Sequence, residues 1–174
     1  MKKCGLDKNP SKFDFNALIK VPQELENTAV PVKVVETDED ARKLYIGYRY
    51  NVHVPMGTVL AITKEEAARR SDLYGATDWY RFRVNNWGTK WQPCNVEVHE
   101  KVLDKEMGHI IVSFDTAWTP AEPIARFLEK DGLVITGAYI EKGCDIKGYY
   151  LNNQGDFYFE EYEDEHGCSY SIEW

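Results

Sequence analysis

The segment Trp79-Tyr80-Arg81-Phe82-Arg83-Val84-Asn85-Asn86-Trp87-Gly88-Thr89-Lys90-Trp91 constrains the fold of this chain more than any other. It is answered downstream by Phe114-Asp115-Thr116-Ala117-Trp118-Thr119-Pro120, and four of the five tryptophans fall in the two stretches. Rings of this size are too costly to leave in water in bulk, so the two segments are expected to meet in one core. Tyr80, Phe82 and Val84 alternate with Arg81, Arg83 and Asn85. That period of two predicts a strand, and the aromatic share of 13% favours pleated, half-buried surfaces.

Further strands follow from alternation. Leu44, Ile46 and Tyr48 against Tyr45, Gly47 and Arg49 predict one over Lys43–Val54. Asn95–Lys101 and Ile110–Asp115 flank a turn near Asp104 and predict a hairpin, with Leu133–Ile140 as a further strand. The tail reads as a meander: Gly148–Leu151, a turn at Asn152-Asn153-Gln154-Gly155, Phe157–Tyr162, then Cys168, Tyr170, Ile172 and Trp174 on one face. Residues 1–42 are polar and broken by Pro22 and Pro31, which predicts an extended wrap over the core of residues 43–174.

Two helices carry start and stop signals. Thr63-Lys64-Glu65-Glu66 is a capping box, with Gly75 as a left-handed stop. Thr119-Pro120-Ala121-Glu122 repeats the box, Ile124, Phe127 and Leu128 form the apolar stripe, and Gly132 closes it. At 174 residues the whole is read as a single domain. The expected class is α+β: an antiparallel sheet with two helices on one face and a C-terminal β-meander.

Charge narrows the function classes. Residues 1–90 hold 15 Lys/Arg and 12 Asp/Glu, and residues 91–174 hold 6 and 17, so the halves carry +3 and −11 and sum to the net −8. The acidic half repels phosphate backbones and disfavours nucleic acid, while it suits a protein partner. Self-association into a homo-oligomer is equally compatible. No apolar run reaches the roughly 20 residues that span a membrane. Met1-Lys2-Lys3-Cys4-Gly5-Leu6-Asp7 has no apolar continuation, so a cytoplasmic protein is expected, with its four scattered cysteines as free thiols.

The strings Phe15-Asn16-Ala17-Leu18-Ile19, Pro22-Gln23-Glu24-Leu25, Asn86-Trp87-Gly88-Thr89-Lys90-Trp91 and Thr116-Ala117-Trp118-Thr119-Pro120 together resemble the YubB ferredoxin-like domain family. The resemblance runs from about Phe13 to Gly148. These are uncharacterised proteins of bacterial plasmids, phages and genomic islands. The resemblance implies a ferredoxin-like fold and a mobile-element setting, and it carries no activity. Family members begin with a tryptophan- and asparagine-containing strand that Met1–Lys12 does not supply.

Asn86, Trp87, Lys90, Trp91, Asp115 and Trp118 are the residues that could line a ligand or partner groove, because aromatic walls with a few convergent polar groups make such sites. The competing reading places the tryptophans in the core, with Gly88 serving a sharp turn. Glu160, Glu161, Glu163, Asp164 and Glu165, interleaved with Phe159 and Tyr162, form an acidic face. Such a face serves a partner or keeps an edge strand from aggregating. His99 and His109 lie symmetrically about Asp104 and, with Cys94, sketch a metal site without a fourth ligand; no metal is assigned. No phosphate-cradling glycine loop, nucleophile elbow or H-E-x-x-H is present, and no cofactor is expected. The leading reading is a non-catalytic accessory protein that binds a protein partner through the acidic face. The alternative is an enzyme or small-ligand binder built on the tryptophans, Asp115 and Lys90.

Overall fold

A computed structural model of the chain describes residues 13–51, 55, 57–102, 108–141, 143, 146–153 and 156–163. It is a mixed α/β structure of helices and small sheets. Two short helices, α1 (Phe15–Leu18) and α2 (Gln23–Glu26), precede strand β1 (Thr28–Val35). Helix α3 (Asp38–Asn51) leads to β2 (Val59–Thr63), then α4 (Lys64–Tyr74) and α5 (Trp79–Trp87). The hairpin β3 (Cys94–Val102) and β4 (His109–Asp115) follows, then α6 (Glu122–Lys130) and the meander β5 (Thr136–Glu141), β6 (Ile146–Asn153) and β7 (Asp156–Glu163).

Among the described residues there are three sheets. β3–β4 and β5-β6-β7 are antiparallel, as the alternation predicts, with Val98 opposite Val112 and Tyr150 between Gly137 and Phe159. The first pair departs from expectation: β1 and β2 run parallel, Val34 facing Ile62, with α3 as the crossover. A parallel pair requires such a long connection, so helix and sheet are interleaved here and the strands do not form one antiparallel sheet. The strand expected over Cys168–Trp174 lies outside the described residues.

Three local expectations are corrected. The strand expected over Lys43–Val54 is the helix α3 as far as Asn51. Its start is fixed by Thr37, whose hydroxyl accepts from the Asp40 amide at 3.2 Å, and by Asp38, Glu39 and Asp40 at the positive end of the helix dipole. The strand expected over Tyr80–Val84 is α5. Asp78 caps it by accepting from the Arg81 amide at 2.8 Å, and Gly88 stops it in the left-handed region at φ 80°. From Phe13 onward the expected N-terminal wrap instead contributes to the core: Phe15, Val21 and Leu25 are wholly buried, and Asp14 caps α1 through the Asn16 amide, while residues 1–12 lie outside the described residues.

Both expected helices form, by different means. Thr63 caps α4 as expected, accepting from Glu66, and Gly75 ends it at φ 66°. The Glu66 carboxylate, however, binds Arg69 and Arg70, each at 2.7 Å. Thr119 does not cap α6. The helix starts two residues later than the box implies, from Ala121 with no side-chain cap, and Pro123 is its second residue.

The main core gathers α1, α2, α5, α6 and the inner face of the hairpin. Phe15 meets Phe13, Phe114 and Trp87 edge to face, with centroids 5.4, 5.9 and 6.0 Å apart. Ala76, Phe82, Ala121 and Ile124 complete the buried set, and Val96, Ile110 and Phe114 close it from the hairpin. No helix of the described residues is long and apolar enough to cross a membrane.

Candidate functional site: an exposed tryptophan pair

The structure divides the tryptophan block into a buried half and an exposed half. Trp87 is fully buried, and its indole N–H donates to the Ile19 carbonyl at 2.8 Å. Asn86 is equally structural: its amide donates to the Phe82 carbonyl one turn back, at 2.9 Å. Arg83 sits one helical turn from each of two tryptophans, its guanidinium carbon 4.7 Å from the Trp79 ring and 4.9 Å from the Trp87 ring. Only the four-residue spacing of a helix places one side chain between both rings. Burial lowers the pKa of Arg83, partly opposed by Glu26.

After Gly88 the chain turns outward. Trp91 is 56% exposed and Trp118 69% exposed. Lys90 joins them, its ammonium 4.5 Å from the Trp91 ring and 5.6 Å from the Trp118 ring. The expectation of a uniformly buried block is therefore corrected for these two rings. An apolar surface of two indoles with a cation between them is unusual on a protein exterior, where large rings are costly to expose.

Two loops hold the pair in place along a tight seam. Thr89, 1% exposed, donates its hydroxyl to the Ala117 carbonyl and accepts from the Ala117 amide, both at 3.1 Å. The Thr119 hydroxyl donates to the Gly88 carbonyl, and the Thr116 hydroxyl to the Thr119 carbonyl at 2.7 Å. A methyl group on Gly88 would meet the Pro120 carbonyl oxygen and Pro123 Cδ at 2.7 Å, so only glycine permits this approach. Gln92 anchors the far side, accepting from the Phe15 amide and donating to Asp14, each at 2.8 Å.

Trp118 itself has φ 73°. For a bulky side chain that left-handed conformation costs about 1–2 kcal/mol. Little burial offsets it, since most of the ring faces solvent. The backbone is held there by the threonine bonds on either side.

Asp115 stands apart from this trio. It ends β4 exposed, and its carboxylate accepts from Asn95 at 2.6 Å; Asn95 also has positive φ. The pair ties the base of the hairpin together, which is a structural task for the acid. The two histidines do not face each other: His109 pairs with Val102 and approaches Glu100 at 3.3 Å, while His99 bonds Ser113 at 2.7 Å. Cys94 is a free, exposed thiol, and no group of three metal-ligating side chains forms among the described residues. Glu160, Glu161 and Glu163 are on β7, whereas Asp164 and Glu165 lie outside the described residues.

Thr89 is the functional-site residue that sequence reasoning missed. Its only signal was position, a hydroxyl next to the helix-stopping glycine. The family models, the curated proteins and the solved structures contain no match to this chain.

Proposed function

We propose that this chain is a non-catalytic binding protein that engages a protein partner through the surface of Trp91, Lys90 and Trp118. One observation carries the reading: two exposed indoles flank a lysine, one of them in a strained backbone conformation that its own burial does not explain. Strain of this kind persists where the surroundings impose it, and it concentrates at contact sites. Tryptophan is also the residue most enriched among binding hot spots.

The alternative centred on Asp115 has less support. A catalytic acid works in a site that excludes water, whereas Asp115 is exposed and engaged by Asn95. The resemblance to the YubB ferredoxin-like family supports an accessory role in a mobile element for the same binding protein, with a ferredoxin-like arrangement as its fold.

The test compares proteins captured from bacterial lysate by the immobilised wild-type chain, by the double variant Trp91→Ala/Trp118→Gly and by Asp115→Asn. The reading expects captured species that the double variant loses and Asp115→Asn keeps. Capture that is unchanged in the double variant would refute it.

A further inference from the structure

Resting on that reading, we infer that the partner meets the Trp91–Lys90–Trp118 surface with an acidic segment, in which one carboxylate is flanked within two residues by large apolar side chains. Charge, geometry and the exclusion of polyanions converge on it.

The charge is local and runs against the chain as a whole. Residues 79–96 hold Arg81, Arg83 and Lys90 and no Asp or Glu, and residues 116–121 hold no charge, in a protein of net −8. Lys43, Lys64, Arg69, Arg70 and Arg126 each pair with a carboxylate. Neither Lys90 nor Arg83 forms an ion pair among the described residues; both lie against indole rings instead. Arg83 reaches the same turn from inside: its Nη1 donates to the Lys90 carbonyl at 3.3 Å, and its buried Nε meets no acceptor among the described residues. The neighbouring acids are engaged elsewhere. Asp14 accepts from Asn16 and Gln92, Asp115 accepts from Asn95, and the field of Glu26 falls on Arg83. Among the described residues Lys90 is thus a surface cation without a counter-charge.

Geometry sets what surrounds the carboxylate. The Lys90 ammonium lies 4.5 and 5.6 Å from the two ring centroids. A carboxylate oxygen accepting from it at about 2.8 Å falls within about 7 Å of one centroid and about 8 Å of the other. Side chains two apart on an extended segment share a face and lie about 6.6 Å apart. An acidic residue on Lys90 therefore brings its same-face neighbours to the indoles. Aromatic or aliphatic neighbours gain most there, because covering a ring removes apolar area from water whereas an exposed charge pair contributes little.

Single-stranded nucleic acid also suits stacked indoles beside basic residues. That mode draws its affinity from many phosphates, whereas this surface offers Lys90 with Arg83 beside it on a chain of net −8. A peptide needs one matched charge, and the acidic remainder of the chain repels polyanions.

The test selects peptides from a displayed random library on the immobilised full chain, at about 0.15 M ionic strength. Wild type is expected to enrich sequences with Asp or Glu flanked within two residues by aromatic or aliphatic side chains. Lys90→Glu, which keeps both rings, should exchange the acidic residue for a basic one and keep the apolar neighbours. Trp91→Ala/Trp118→Gly should lose the enriched set. In fluorescence anisotropy the leading peptide should bind Lys90→Met at least about threefold more weakly than wild type. Replacing its acidic residue by the amide should cost as much in wild type and nothing further in Lys90→Met. Circular dichroism of each variant separates loss of contact from loss of fold. Enrichment without acidic residues, an unchanged set on Lys90→Glu, or no enrichment would overturn the inference. So would a thymidine oligonucleotide that displaces the leading peptide, since the rings would then be a base-stacking platform. If the inference fails while tryptophan-dependent capture from lysate persists, the binding surface stands and its occupant has another chemistry. Absence of both removes the underlying reading as well.

Discussion

Gly75 and Gly88 offer a controlled comparison of backbone strain against steric contact. Both end a helix in the left-handed region, at φ 66° and 80°, yet a Cβ on Gly75 meets nothing within 4 Å while one on Gly88 meets two atoms at 2.7 Å. Alanine at either site takes on the left-handed cost of about 1–2 kcal/mol. It recovers about 0.4–1 kcal/mol because the unfolded alanine chain is less free than the glycine chain. Gly75→Ala should therefore destabilise by about 0.5–1 kcal/mol. At Gly88 the obstructing atoms are a backbone oxygen and a proline ring carbon, neither of which can swing away. Overpacking of that kind adds about 1–3 kcal/mol, so Gly88→Ala should cost about 2–4 kcal/mol. Urea unfolding of the two variants side by side measures the difference, with the slope checked for constancy. For a chain of this length a gap of about 2 kcal/mol also separates the thermal midpoints by roughly 4–8 °C. Equal losses within about 0.5 kcal/mol would show that the seam yields freely, and the claim that it fixes Trp91 and Trp118 would fall.

Other outcomes follow from single residues. Trp87→Ala removes a fully buried ring and its bond to Ile19, and should cost about 3–5 kcal/mol by denaturant titration. Trp118→Gly loses a mostly exposed ring and relieves the backbone, so stability should stay within about 1 kcal/mol of wild type; a larger loss would make the ring structural. Asp78→Ala should cost about 1 kcal/mol in the same titration through the lost α5 cap. Thr119→Ala removes no cap, because α6 has none from a side chain, and should act only through the lost bond to Gly88. The Glu66 carboxyl is held down to about 2 from 4.5, chiefly by hydrogen bonds from Arg69 and then Arg70. Because the folded pKa is the lower one, its contribution is complete above the unfolded value of 4.5 and disappears as pH falls towards 2. With solvent screening this amounts to about 1 kcal/mol. Glu66→Gln should flatten that part of an acid titration of stability, and an unchanged acid limb would contradict the assignment.

The sequence was most legible where one rule acted alone. The hairpin over β3 and β4, the described meander strands β6 and β7 and the Thr63 cap with its Gly75 stop each followed from alternation or capping without a competitor. It misled where two periods overlapped. Tyr80, Phe82 and Val84 alternate as a strand does, but the same block places Trp79, Arg83 and Trp87 four apart, and the stack of those three prevailed over the shorter pattern. The Asp78 cap and the Gly88 stop were visible signals of that helix. In α3 the cluster Thr37 to Asp40 outweighed the alternation of Leu44, Ile46 and Tyr48. Of the candidate site, proximity in sequence brought Lys90 to Trp91, but the arrival of Trp118 depends on Thr89 and Ala117, a pairing set by tertiary approach that no local pattern encodes.

Through one hydroxyl, Thr89 both gives to and takes from Ala117, as a residue in a sheet ladder does, so two irregular loops are joined as one rigid piece. The backbones that carry the two indoles are therefore held beside each other by this seam. Ordering loops and side chains on association ordinarily costs about 0.5–1.5 kcal/mol for each immobilised side chain. The seam bears on the loop part of that cost alone, because Trp91 and Trp118 are mostly exposed rings whose side chains it does not touch.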